Sequence, residues 1–113
     1  MNSAAGSNPE AYTSAEPARA DIDASRGALL LEFGSPNCGH CLRAQPLIAQ
    51  ALASATPVRR LKIADGSGRP LGRSFGVKLW PTLVFLKDGR EITRLVRPTT
   101  PSPIEAALAQ ITS

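Results

Sequence analysis

Ala28-Leu29-Leu30-Leu31-Glu32-Phe33-Gly34-Ser35-Pro36-Asn37-Cys38-Gly39-His40-Cys41 carries the two signals from which the rest of the chain is read. Residues 28–33 form a short apolar run stopped by Gly34-Ser35-Pro36, as expected of a strand buried on both faces. A helical pattern follows from about residue 38 to 55. Leu47 and Ala51, and Ile48, Leu52 and Ala55, recur at helical spacing, and Thr56-Pro57 stops the helix. Residues 58–64 alternate, with Leu61 and Ile63 on one face and Arg60 and Lys62 on the other, and read as a second strand. Strand, helix and strand with short joins make a βαβ unit, which implies parallel pairing and a right-handed crossover.

Beyond this unit, Asp65-Gly66-Ser67-Gly68 is a loop and residues 69–75 suit a short helix. Residues 82–86 predict a third strand and 91–96 a returning one, joined by Lys87-Asp88-Gly89-Arg90, a turn of the kind that links antiparallel strands. Ser102-Pro103-Ile104-Glu105 reads as a capping box opening the last helix, with Ile104, Leu108 and Ile111 on one face. Residues 17–26 suit a short helix anchored by Ile22, and residues 1–16, small and polar, read as a disordered N-terminal tail. The folded domain is then 17–113. The fold class is α/β, βαβ followed by ββα.

With 113 residues the chain has room for one domain, and its 42% hydrophobic content suffices for a core. The net charge of +4 is uneven: residues 57–97 hold ten Lys or Arg against three acids. Such a basic stretch attracts phosphates. It holds only Phe75, Trp80 and Phe85 as aromatics, so a solvated basic face is expected rather than a nucleic-acid site. No apolar run approaches the ~18 residues of a membrane span. Met1-Asn2-Ser3-Ala4-Ala5-Gly6 lacks the basic and apolar regions of a secretory signal, which predicts a cytoplasmic protein, or a periplasmic one if a leader has been removed. Ten arginines against three lysines suggest a GC-rich bacterial source.

The chemistry is expected at Cys38-Gly39-His40-Cys41. Two cysteines at this spacing lie within one turn of a helix start, where a disulfide can close. The free N–H groups and positive end of the helix favour an anion at the first sulfur, and the thiolate is the nucleophile. Cys38 is therefore expected to attack a substrate disulfide and Cys41 to resolve the mixed disulfide. His40 can add positive charge beside the Cys38 thiolate. A zinc site would want four ligands, and two cysteines and one histidine supply them only if two chains share the site.

From about Ala28 to Ile111 the sequence resembles thioredoxin-fold proteins. Residues 31–41 resemble the active-site strand and turn of protein disulfide isomerase domains, and Pro46 falls where thioredoxins carry the proline of this helix. Phe75-Gly76-Val77-Lys78-Leu79-Trp80-Pro81-Thr82-Leu83-Val84-Phe85 resembles the cis-proline segment, and Lys87-Asp88-Gly89 the terminal hairpin. The resemblance implies a thioredoxin-like fold, a mixed central sheet flanked by helices, whose first strand has no clear counterpart in residues 1–27. It implies a monomeric thiol–disulfide oxidoreductase acting on protein substrates, recycled by a redox partner, with no metal and no organic cofactor. Cys38 matches the attacking cysteine and Cys41 the resolving one. Pro81 matches the cis-proline, and substrate contacts are implied at Gly39, Trp80 and Pro81. Glu32 matches the buried acid near the resolving sulfur, where a carboxylate raised in pKa by burial could accept the Cys41 proton.

The chain departs from that pattern at Asn37, where the family usually has Trp, and at Trp80, large for the residue before the cis-proline. Both leave open a second reading, a protein-binding module in which redox chemistry is incidental. A charged His40 would stabilise the reduced form. It predicts a potential between about −270 mV for thioredoxin and about −180 mV for protein disulfide isomerase.

Overall fold

A computed structural model describes residues 11–13 and 15–113. The element order is α1 (Arg19–Asp23), β1 (Ala28–Gly34), α2 (Gly39–Ala53), β2 (Arg59–Ala64), α3 (Pro70–Ser74), β3 (Thr82–Lys87), β4 (Arg90–Val96) and α4 (Pro101–Thr112). The four strands form one mixed sheet in the order β2-β1-β3-β4. β1 runs parallel to β2 and antiparallel to β3, and β3 is antiparallel to β4. The β3–β4 turn has positive φ at both Asp88 (51°) and Gly89 (79°), the conformation whose twist suits a two-residue hairpin.

Alternation along the central strands divides the core in two. Leu30 of β1 and Leu83 and Phe85 of β3 pack with Ala44, Ile48 and Ala51 of α2 and with Ile104, Leu108 and Ile111 of α4. Leu29, Leu31 and Phe33 of β1, Ile63 of β2 and Val84 and Leu86 of β3 pack on the other face with Ile22, Leu71 and Phe75. The same alternation assigns Glu32 and Gly34 to the α2 face of β1, and Arg60 and Lys62 to that face of β2. In the parallel register Leu30 lies opposite Arg60 and Glu32 opposite Lys62. An acid and two cations therefore sit under the helix that begins at Cys38.

Three expectations are corrected. Residues 1–10 lie outside the described residues, but the end of the expected tail is attached. Tyr12 forms a parallel bridge with Lys62, the Thr13 N–H donates to the Lys62 carbonyl at 2.9 Å, and the Glu16 carboxylate accepts from the Leu71 N–H. Among the described residues this single bridge on the outer edge of β2 stands where a first strand was sought. The last helix begins earlier than the capping box implies: Thr100 is the N-cap and Pro101 the first residue, with no side-chain cap. Both Pro101 and Pro103 suit a first turn, and the chain uses the earlier one. Finally, Arg60 and Lys62 are not part of a solvated basic face, since Lys62 is buried and only 7% of the Arg60 side chain is exposed.

Candidate active site

Cys38 is the N-cap of α2, with extended backbone, and its sulfur accepts a hydrogen bond from the Cys41 N–H at 3.1 Å. A helix start carries unpaired N–H donors, and here a sulfur occupies the place that a Ser or Asp oxygen commonly fills. Both cysteines are free thiols; Cys38 is partly exposed and Cys41 is 1% exposed. Burial pushes the Cys38 thiol up. The Cys41 side chain and N–H, the His40 N–H and the charge of Arg97 outweigh this and hold it below its ordinary value. For Cys41 burial dominates, and together with the Cys38 sulfur it pushes the thiol up to about 11, although Ser35 and the Tyr12 hydroxyl act the other way.

Arg97 replaces His40 as the source of positive charge. His40 is exposed, its Nδ1 lies 3.1 Å from the Arg43 guanidinium, and Arg97, desolvation and Arg43 hold its pKa below the usual value. Its charged form is thereby disfavoured, and it acts on Cys38 through its backbone N–H. Arg97 follows β4 with φ 51°, in the left-handed region that a non-glycine residue seldom adopts. Its N–H donates to the Pro81 carbonyl at 3.0 Å and its Nε to the Trp80 carbonyl at 2.8 Å. The guanidinium is thereby held where its charge acts on the Cys38 sulfur.

The Trp80–Pro81 bond is cis and Pro81 is buried. The Trp80 carbonyl accepts from the Cys38 thiol at 4.0 Å, and its indole N–H donates to Asp65 at 2.9 Å. The indole is thus tied back to the end of β2 and only partly exposed. Leu79 and Leu42, neighbours in sequence of Trp80 and Cys41, are 50% and 61% exposed. Gly39 is exposed at the first residue of α2.

Glu32 is fully buried, but its carboxylate is engaged elsewhere than at sulfur. Oε1 accepts from the Arg60 guanidinium at 2.6 and 3.2 Å, and Oε2 from Gln45 at 2.7 Å. The same Gln45 amide nitrogen donates to the Cys41 carbonyl, and its oxygen accepts from Arg60 and Lys62. Instead, the polar group that another side chain brings to Cys41 Sγ, besides the Cys38 thiol, is the Tyr12 hydroxyl. A Cβ added at Gly34 would lie 2.6 Å from Cys41 Sγ and 3.1 Å from the Tyr12 oxygen, so this glycine leaves the space in which the two meet.

The structure thus gathers Cys38, Cys41, Trp80 and Pro81, leaves His40 and Gly39 at the rim, and sets Glu32 behind Gln45. Sequence reasoning missed Tyr12, Gln45, Arg60 and Arg97. Arg60 was within reach, since strand alternation aims it at the face that carries Glu32. Tyr12 and Arg97 carry no local signal.

The family described as Thioredoxin matches residues 11–110. Among solved structures, reduced thioredoxin 2 from Pseudomonas aeruginosa superposes with a TM-score of 0.80 at 51% identity, covering 88% of this chain and 93% of that one. The thioredoxin of Chlamydia muridarum is 43% identical over 72 residues, 62% of this chain and 69% of that protein. Protein disulfide-isomerase A2 of Pongo abelii is 44% identical over 66 residues, 55% of this chain and 13% of that much longer protein.

Proposed function

The chain belongs to the thioredoxin family, and from that membership and the site geometry we propose that it exchanges disulfides with protein substrates through Cys38-Gly39-His40-Cys41. Cys38 attacks a substrate sulfur, giving a mixed disulfide and a substrate thiolate. Cys41 then attacks Cys38, releasing the second substrate sulfur and leaving the Cys38–Cys41 disulfide. The substrate disulfide gains two electrons and the protein dithiol loses them; the reverse sequence oxidises a substrate dithiol.

The observation that carries this reading is the asymmetry of the two thiols. Cys38 is accessible and its anion is held by helix-start donors, whereas Cys41 is buried and held protonated, so it acts second, on the Cys38 sulfur once that sulfur is in a mixed disulfide. Only the anion is nucleophilic, so the order of attack follows from acidity and access. The exposed Leu42 and Leu79 supply apolar surface near the sulfurs, which suits a polypeptide substrate. A recycling partner that restores the dithiol is required for turnover.

Insulin reduction driven by dithiothreitol tests the reading. The protein should accelerate precipitation of the insulin B chain catalytically, and Cys38→Ser should abolish the acceleration. Absence of turnover in the native protein, with a partner retained equally well by Cys41→Ser, would instead favour a binding module.

A further inference from the structure

We propose that Tyr12, rather than Glu32, is the polar side chain that assists Cys41, its hydroxyl donating a hydrogen bond to the Cys41 thiolate as that sulfur resolves the mixed disulfide. The inference rests on the disulfide-exchange reading above. Three observations support it. The Tyr12 oxygen and Cys41 Sγ converge on the hollow left by Gly34, within 3.1 and 2.6 Å of the point a Cβ there would occupy, and each group shifts the other's acidity. Glu32, the acid in the expected position, has its carboxylate taken up by Arg60 and Gln45. The phenol is also fixed from two sides: the backbone bridge to Lys62 sets its position, and Lys62 Nζ stands 4.5 Å from the ring centroid.

In the resolving step the Cys41 sulfur bonds to Cys38, the bond from Cys38 to the substrate sulfur breaks, and that sulfur leaves as a thiolate. The proton given up by Cys41 passes to solvent, and the departing thiolate takes one from solvent, so charge and protons balance. Tyr12 keeps its own proton throughout. This agrees with a phenol raised above its ordinary value by burial and then by the neighbouring Cys41 and Glu32. The titratable groups facing the phenol are Cys41 from α2, Cys38 at its N-cap, Glu32 from β1 and Lys62 from β2.

Tyr12→Phe removes the donor and keeps the ring. The reduced protein is mixed with an aromatic disulfide whose released thiolate absorbs visible light. The first equivalent reports attack by Cys38 and the second reports resolution by Cys41. The variant should release the first at the native rate, within about twofold, and the second roughly tenfold more slowly, since a hydrogen bond to a charged group is typically worth at least that factor. Its second phase should also accelerate only at higher pH than in the native protein. Equal second phases with one pH profile would overturn the proposal. A native protein that never releases the second equivalent would instead overturn the exchange reading beneath it.

A measurement on the native protein decides the matter if the variant does not fold. Tyr12 is the only tyrosine, so ultraviolet titration of its ionisation is unambiguous. In the reduced protein it should ionise well above the ordinary value of about 10, and at lower pH once Cys41 is locked in the disulfide. An identical titration in both redox states would contradict the proposed contact.

Discussion

Cys38 and Cys41 are one helical turn apart, yet their surroundings drive their acidities in opposite directions. Iodoacetamide added to the reduced protein at pH 7 should therefore modify Cys38 first. Its rate should rise through a midpoint below the ordinary thiol value of about 8.5, whereas Cys41 should stay unmodified until pH approaches 11. Peptide mapping of the labelled sulfur reads the order, and faster labelling of Cys41 would reverse the two roles. The surroundings also separate two contributions that the motif merges. His40 acts through its N–H and Arg97 through its charge, so His40→Ala should leave the labelling rate nearly unchanged. His40→Pro, which removes the N–H, and Arg97→Gln should each slow it. A charge near a helix start is typically worth ~0.3–1 kcal/mol, which for Arg97→Gln means a roughly two- to fivefold loss of rate. Both slowing substitutions destabilise the reduced form and should make the potential more negative. A large effect of His40→Ala would restore the imidazole as the source of charge.

At the scale of elements, β1, β2 and α2 enclose a polar layer of Glu32, Gln45, Arg60 and Lys62. Removing one partner of a buried pair leaves a charge unsatisfied in a medium that solvates it poorly. Glu32→Ala should thus cost about 3–5 kcal/mol in urea unfolding, and the added change Arg60→Leu should recover part of that loss. A cost under about 1 kcal/mol would show that water reaches Arg60 once Glu32 is gone. Gly34 presents the opposite problem, because a methyl group there would overlap Cys41 Sγ at 2.6 Å. Gly34→Ala should destabilise by ~1–3 kcal/mol and slow resolution by Cys41, and unchanged stability would mean that the sulfur moves aside freely. The order of the elements was legible in the sequence because each is written in a local period, two for the strands and near 3.6 for α2 and α4. The start of α4 was misread because Pro101 and Pro103 fit the same first-turn rule, and only packing chooses between them. Glu32 was legible as a buried acid, but not its capture by Arg60, which depends on the register between β1 and β2.

Across the whole molecule, the excess of positive charge in residues 57–97 is partly spent on internal bonds. Arg60 and Lys62 lie under α2, Arg69 donates to the Ala64 carbonyl, Arg94 joins Glu91 to the Phe75 carbonyl, and Arg97 holds Trp80. Composition counts these cations as surface charge because it carries no information about partners distant in sequence. The site shows the same division. Cys38 and Cys41 announce themselves by spacing at a helix start. Tyr12 and Arg97 reach them from opposite ends of the chain through one backbone bridge and one left-handed residue, and neither leaves a pattern in neighbouring residues. The central claim is that Cys38 forms the bond to substrate and Cys41 breaks it. Trapping the intermediate tests this most directly: purified Cys41→Ser protein is incubated with an oxidised protein substrate, quenched in acid and mapped by mass spectrometry. The account predicts a stable disulfide between Cys38 and a substrate cysteine, which the native protein resolves and Cys38→Ser never forms. A mixed disulfide accumulating through Cys41 in Cys38→Ser, or none in either variant, would contradict it.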